Sequence, residues 1–189
     1  LCVRGIPMYF EGSRPVRQDI VDPLPKSITL PTAIALYFSI IQKRVDERWP
    51  KLKYWLLSLH PGTEVDDRDG IRRVEAVYAT MAIGMIFVPD WWREQDVRQV
   101  EDTIIHQLPG LQSIARREDW HSYLAAIRKH ADGQVDLRAI GHTYLARVGD
   151  LRPEVPLATG FIAEAVGSSM RRTAWGAWQS ILDAHEIDF

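Results

Sequence analysis

Glu64, Asp66, Asp67 and Asp69 crowd four carboxylates into one short stretch, and clustered carboxylates can hold Mg²⁺ for phosphate or diphosphate chemistry. On that reading the chain is a Mg²⁺-dependent helical enzyme working from residues 64–69. The same acids stand where a helix opens. There they cap free N–H groups and offset the positive end of the helix dipole with no metal at all. Their spacing also lacks the distal glutamate of a calcium-binding loop, and capping accounts for all four.

Glu118 and His121 form a Glu-x-x-His pair that projects from one helical face, as ligands do in di-iron bundles, but such a site needs two copies and no second one occurs. Asp102 with His106 has a different spacing, so a surface ion pair is the plainer reading of Glu118 and His121. The chain carries no Gly-x-x-x-x-Gly-Lys phosphate loop, no His-Glu-x-x-His zinc helix and no Gly-x-Ser-x-Gly nucleophile turn. None of its histidines precedes an aspartate. No catalytic residue, metal or cofactor is therefore expected.

Lys43, Arg44, Arg48, Lys51 and Lys53 surround Trp49, Tyr54 and Trp55, the mixture of cations and flat rings that binds single strands or phosphorylated partners. Residues 1–60 carry 9 basic and 5 acidic side chains, a balance of +4, whereas 61–110 carry 5 and 10, a balance of −5. That asymmetry makes Lys43, Arg44, Arg48, Trp49, Lys51 and Lys53 the candidate partner-binding set. The competing view buries the rings in the core and leaves solvated lysines beside them.

Ile162-Ala163-Glu164-Ala165-Val166-Gly167, followed by Ser168-Ser169 and a new helical run, resembles the first helix and turn of a helix-turn-helix. The resemblance covers residues 159–178 and implies a DNA-binding regulator whose Arg171 and Arg172 face phosphate or bases. Ser168, Thr173 and Gly176 fall where apolar residues normally hold the second helix, and Asp183, Glu186 and Asp188 oppose DNA. A kinked helix with Trp175 and Trp178 in the core fits those departures better.

The element that positions everything else runs from Asp66 to Trp92. Ile71, Val74, Tyr78, Met81, Ala82 and Met85 follow one helical stripe, Arg72, Arg73 and Glu75 hold the opposite side, and from Ala76 to Val88 almost no polar group remains. Other helices are expected to enclose it. Ahead of it, an extended Pro-rich arm over 1–31 is anchored by Ile20, Val21, Leu24, Ile28 and Leu30. A helix from Pro31 to Trp49 buries Ile34, Tyr37, Phe38, Ile41 and Val45. Pro50 is expected to restart the chain as a short helix to His60, with Tyr54, Trp55, Leu56, Leu57 and Leu59 mostly inward.

After the central helix, Pro89 closes it and Asp90 caps a segment with Val97, Val100, Ile104 and Leu108 on its narrow stripe. Leu111 to Ala131 predicts a helix with Trp120, Tyr123, Leu124 and Ile127 inward and Gly133 just past its end. Asp136 caps the next, and a final helical region spans about 157–184, interrupted near Gly167. No stretch alternates as a strand does.

The 189 residues, 46% hydrophobic and 25% charged, suit one globular domain over 32–189, with a possible lobe boundary near 150–156. The fold class is all-α, a compact irregular bundle of about six to eight helices around a buried central helix. Net charge of −2 gives no global pull towards nucleic acid or anionic lipid. Cys2 is the single cysteine, which fits a reducing, cytoplasmic compartment. Leu1 to Phe10 lacks the continuous apolar core expected of a secretory signal, and Met8 is a candidate start. These features favour a non-catalytic protein that binds a macromolecular partner, as an adaptor, inhibitor or immunity-type protein does. A protein partner is expected, nucleic acid is the alternative, and no membrane is involved.

Overall fold

A computed structural model describes residues 26–60, 70–108, 114–127 and 135–189. Most of the expected N-terminal arm, with Ile20, Val21 and Leu24, lies outside these residues, as do the acidic cluster 64–69 and the expected helix ends at Leu111 and Gly133. Six α-helices are packed together in what is described: α1 (Leu30–Leu59), α2 (Ile71–Gly84), α3 (Glu94–Gln107), α4 (Ile114–Ala126), α5 (Leu137–Arg147) and α6 (Pro156–Leu182). The expected all-α bundle is thus present. Among the described residues no helix is long and apolar enough to cross a membrane.

Pro50 does not restart the chain, because α1 runs through it for 30 residues. An internal proline costs about 3 kcal/mol. Beyond it Leu52, Leu56 and Leu59 continue the buried stripe of Ile34, Tyr37, Ile41 and Val45 in phase. Burying three leucines contributes about 1.5–3 kcal/mol each, which outweighs the proline. Pro50 and Asp46, whose carbonyl loses its donor, are both exposed. Tyr54, expected inward, is 71% exposed.

The central helix is shorter than expected. α2 ends at Gly84, and a single 3-10 turn, Met85–Phe87, leads to Pro89. Every residue from Ala76 to Gly84 is buried, as the loss of a polar side predicted, because α1, α4, α5 and α6 all pack on this helix. Its first turns are reversed from the expected phase. Ile71 and Val74 are exposed, while Glu75 is buried. The helix start faces polar groups on α4 and α5, so its buried face is charged where its second half is apolar. Gly70, in the left-handed region at φ 66°, occupies the N-cap position of α2.

Asp90 does not cap α3. That helix opens at Arg93, whose backbone N–H donates to the Asp96 carboxylate at 3.0 Å. The guanidinium of Arg93 also donates to Asp96, at 2.9 and 2.8 Å, and this holds the Asp96 carboxyl below its ordinary range. Desolvation opposes the shift and the backbone donor adds to it. Asp136 caps α5 as expected, accepting from the Ala139 N–H at 2.9 Å.

α6 is one uninterrupted helix of 27 residues, so the expected break near Gly167 is absent. Gly167 serves a different purpose. A β-carbon there would run into the carbonyl of Leu137, and one at Gly141 into the carbonyl of Ala163, so the two glycines let α5 and α6 touch backbone to backbone. Two three-residue strands, β1 (Ser27–Thr29) and β2 (Glu186–Asp188), pair in parallel and tie the start of α1 to the end of α6. Such short strands leave no alternation to read. Trp178 is in the core at 2% exposure, edge-on to buried Tyr37, but Trp175 is not.

Candidate functional site

Arg44 and Arg48 stand one turn apart on α1 and lean onto α6. Arg48 Nη1 donates to Thr173 Oγ1 at 2.7 Å and to the Ser169 carbonyl at 3.2 Å, and Arg44 Nη1 donates to the Thr173 carbonyl at 3.4 Å. Gly176 makes room for Arg44, since a β-carbon there would come within 2.7 Å of Arg44 Nη1. Arg171 and Arg172, both exposed, follow on the same stretch of α6.

Arg48 is held below its ordinary pKa, first by desolvation and then by the like charges of Arg172 and Arg44, with Glu47 working the other way. With the hydrogen bonds of Arg44 and Arg48 to α6, those two repulsions put Arg44, Arg48 and Arg172 in one patch. Among the described residues no carboxylate forms an ion pair with Arg44, Arg48, Arg171 or Arg172.

Beside this patch lies a groove of about 440 Å³ lined by Phe87, Leu137, Ser168, Arg171, Arg172 and Trp175. Trp175 is 51% exposed and meets Phe87 edge-on with ring centroids 5.2 Å apart. Charge and an accessible aromatic surface therefore adjoin, with Arg172 common to both.

The structure divides the basic and aromatic set read from α1. Arg44 and Arg48 join Arg172 of α6. Lys51 lies over the Trp55 ring at 5.1 Å, further along α1. Trp49 is half-buried and turned elsewhere, against the guanidinium of Arg73 on α2 at 5.9 Å, and Arg73 also sits 3.8 Å from Asp46. Lys43 is exposed and Lys53 half-buried. Arg171 and Arg172 are outward, as a recognition helix would need, but the turn that defines a helix-turn-helix is missing. Sequence reasoning missed Trp175, Phe87, Leu137 and Ser168. The recurrence of Ser168, Arg171, Arg172 and Trp175 at helical spacing was the one available signal. Glu118 and His121 are exposed on α4, and no group of three or more potential metal ligands occurs among the described residues.

A second concentration of charge is buried. Glu75 accepts from the Tyr123 hydroxyl at 2.8 Å and from Arg147 Nε at 2.9 Å, and Arg147 Nη2 reaches Asp119 at 2.6 Å. Burial, then the charge and hydrogen bond of Glu75, push the Tyr123 hydroxyl far above its ordinary value. Burial pulls Arg147 down, but its hydrogen bond to Glu75 and the charges of Glu75 and Asp119 raise it overall. Nearby, Asp150 accepts a two-pronged bond from Arg72, at 2.7 Å from Nε and 2.9 Å from Nη2, with His60 Nε2 at 3.0 Å. None of these residues lines the groove. Their geometry joins α1, α2, α4 and α5, and each ion is answered within the fold.

No protein-family model matches the chain, and neither a curated protein nor a solved structure matches it.

Proposed function

We propose that the protein acts by binding an acidic segment of a partner protein on the arginine surface of α1 and α6, with no catalysis of its own. The observation that carries this reading is the convergence of Arg44, Arg48 and Arg172, with Arg171 beside Arg172 on the groove, without a paired carboxylate among the described residues. Guanidinium forks match carboxylates two-pronged, and such charge-assisted bonds are about twice as strong as neutral ones. The like charges of Arg172 and Arg44 act on Arg48, so an incoming anion would offset that repulsion as well as add attraction. An adaptor, an inhibitor and an immunity-type protein would all use such a surface.

Duplex DNA is less well served. Strong DNA binders make about 6–10 phosphate contacts, more than this cluster offers, and Asp183, Glu186 and Asp188 follow closely at the end of α6. An unbroken α6 also lacks the turn that presents a recognition helix.

Peptides selected from a random phage-displayed library on the wild-type protein should be enriched in Asp and Glu. The enrichment should vanish on an Arg44→Ala/Arg48→Ala/Arg172→Ala variant whose folding is checked by its circular dichroism. Peptides with no acidic bias, or equal selection by the variant, would refute the reading. Tight duplex DNA binding with a log–log salt slope near about −3.6, the value for four phosphates, would assign the surface to nucleic acid instead.

A further inference from the structure

We infer that the groove beside the arginines seats one aromatic side chain of that acidic segment, so that the recognised chemistry is an aromatic residue flanked by carboxylates. This inference rests on the proposed binding of an acidic partner and adds a second, apolar determinant to it.

Phe87, from the turn after α2, and Leu137, at the start of α5, close the groove opposite the Ser168, Arg171, Arg172 and Trp175 face of α6. Three different elements therefore hold it, and the α5–α6 contact through Gly141 and Gly167 keeps two of them in fixed register. At about 440 Å³ it sits near the small end of the range of ligand clefts, roughly 300–1,000 Å³. That suits one large side chain with its neighbours in the chain, and is short for a polymer running lengthwise.

Trp175 leaves half of its surface to solvent. A third ring entering the groove can pack against the Trp175–Phe87 pair in offset or edge-on geometry, the arrangements aromatic quadrupoles favour. The charge on the rim then selects what flanks the ring. Arg171 and Arg172 line the same groove, neither is paired to a carboxylate among the described residues, and Arg172 continues the field towards Arg48. A carboxylate one or two positions from the ring meets a guanidinium there, and a basic flank is repelled. Tryptophan and arginine are enriched among the few residues that carry most of the binding energy of protein interfaces.

The test uses an acidic peptide with one central Phe and its Phe→Ala counterpart, titrated calorimetrically into the full chain. The Phe peptide should bind about tenfold or more tightly than the Ala peptide. Trp175→Ala, and separately Phe87→Ala, should collapse that ratio towards one, the Phe peptide losing most of its advantage over the Ala peptide. Arg171→Ala/Arg172→Ala should weaken both peptides together. Phe161→Ala serves as a control for general stickiness. Phe161 is 75% exposed on the same helix, ten residues before Arg171 and so about 15 Å from it, and its loss should change nothing.

An unchanged Phe-to-Ala ratio in both folded aromatic variants would overturn the groove assignment while acidic binding itself stood. Weak binding of both peptides, insensitive to the arginine pair, would instead overturn the underlying function, so the two failures are distinguishable. A ratio lowered equally by Phe161→Ala would also reject the groove.

Discussion

Replacing Arg72 with methionine should damage the protein far more than replacing its partner Asp150 with asparagine, although both changes dismantle the same pair. The Asp150 side chain is 1% exposed and that of Arg72 is 21% exposed. Methionine fills much of the arginine stem but takes the guanidinium from a carboxylate that water does not reach, leaving it His60 at 3.0 Å. Breaking a buried pair from the cationic side costs about 3–5 kcal/mol. In Asp150→Asn the new amide is neutral, its oxygen still accepts one N–H of the guanidinium, and the other N–H, which then faces the amide NH2, is left to Arg72's share of solvent. That change costs about 1–1.5 kcal/mol. For a chain of this length each kcal/mol moves the melting temperature by about 2–4 °C, so scanning calorimetry should find Arg72→Met lower by about 6–20 °C and Asp150→Asn by about 2–6 °C. The double variant should melt above Arg72→Met, because the buried charge is then gone. A reversed order of the single variants, or a double variant that melts no higher than Arg72→Met, would refute the claim that a buried carboxylate governs this junction.

Two further outcomes follow from local geometry. Gly167→Ala should destabilise in urea, since overpacking of about 1–3 kcal/mol against the Leu137 carbonyl exceeds the helix-propensity gain of about 1 kcal/mol; stabilisation would mean that α5 and α6 do not touch there. Asp96 has a depressed folded pKa, so its contribution is complete above the unfolded value of about 3.9 and lost as pH falls through the lower folded value. Wild type should therefore melt above Asp96→Asn near about pH 6, and the gap should close near about pH 2; a gap independent of pH would exclude the Arg93–Asp96 contact as its source.

Periodicity revealed what depends on one helix at a time. Ile34, Tyr37, Ile41 and Val45 declared the buried face of α1, and the run from Ala76 to Gly84 declared a helix enclosed on all sides. What failed depends on a partner far along the chain. Apolar spacing put Ile71 and Val74 inside, but the buried member of that turn is Glu75, whose Arg147 stands 72 positions away and cannot be read from the turn itself. Pro50 and Gly167 looked like breaks because local propensity treats them so, and packing against α2 and α5 overrides it. Arg44, Arg48, Arg171 and Arg172 were each visible as cations. The meeting of Arg44 and Arg48 with Arg172 was not, because the hydrogen bonds that bring α1 against α6 span 121 to 129 positions.

The contrast between the two groups of arginines is what gives the open one its meaning. Arg72 and Arg147 are each met by a carboxylate that the fold buries for them, at 2.7 and 2.9 Å. The chain has no shortage of acids, with 25 against 23 lysines and arginines, so cations without a paired carboxylate among the described residues do not reflect a lack of counterions. Nor does packing demand positive charge at the α1–α6 seam. Thr173 and Ser169 offer neutral oxygens to Arg48, bonds that an uncharged donor could make without the repulsion Arg172 and Arg44 impose. On the proposed reading, an anion arriving beside Arg48 would offset the like charges of Arg172 and Arg44. Because Arg172 also lines the aromatic groove, the anion and an apolar anchor can be engaged in one event, and the free energy of each then depends on the other being in place.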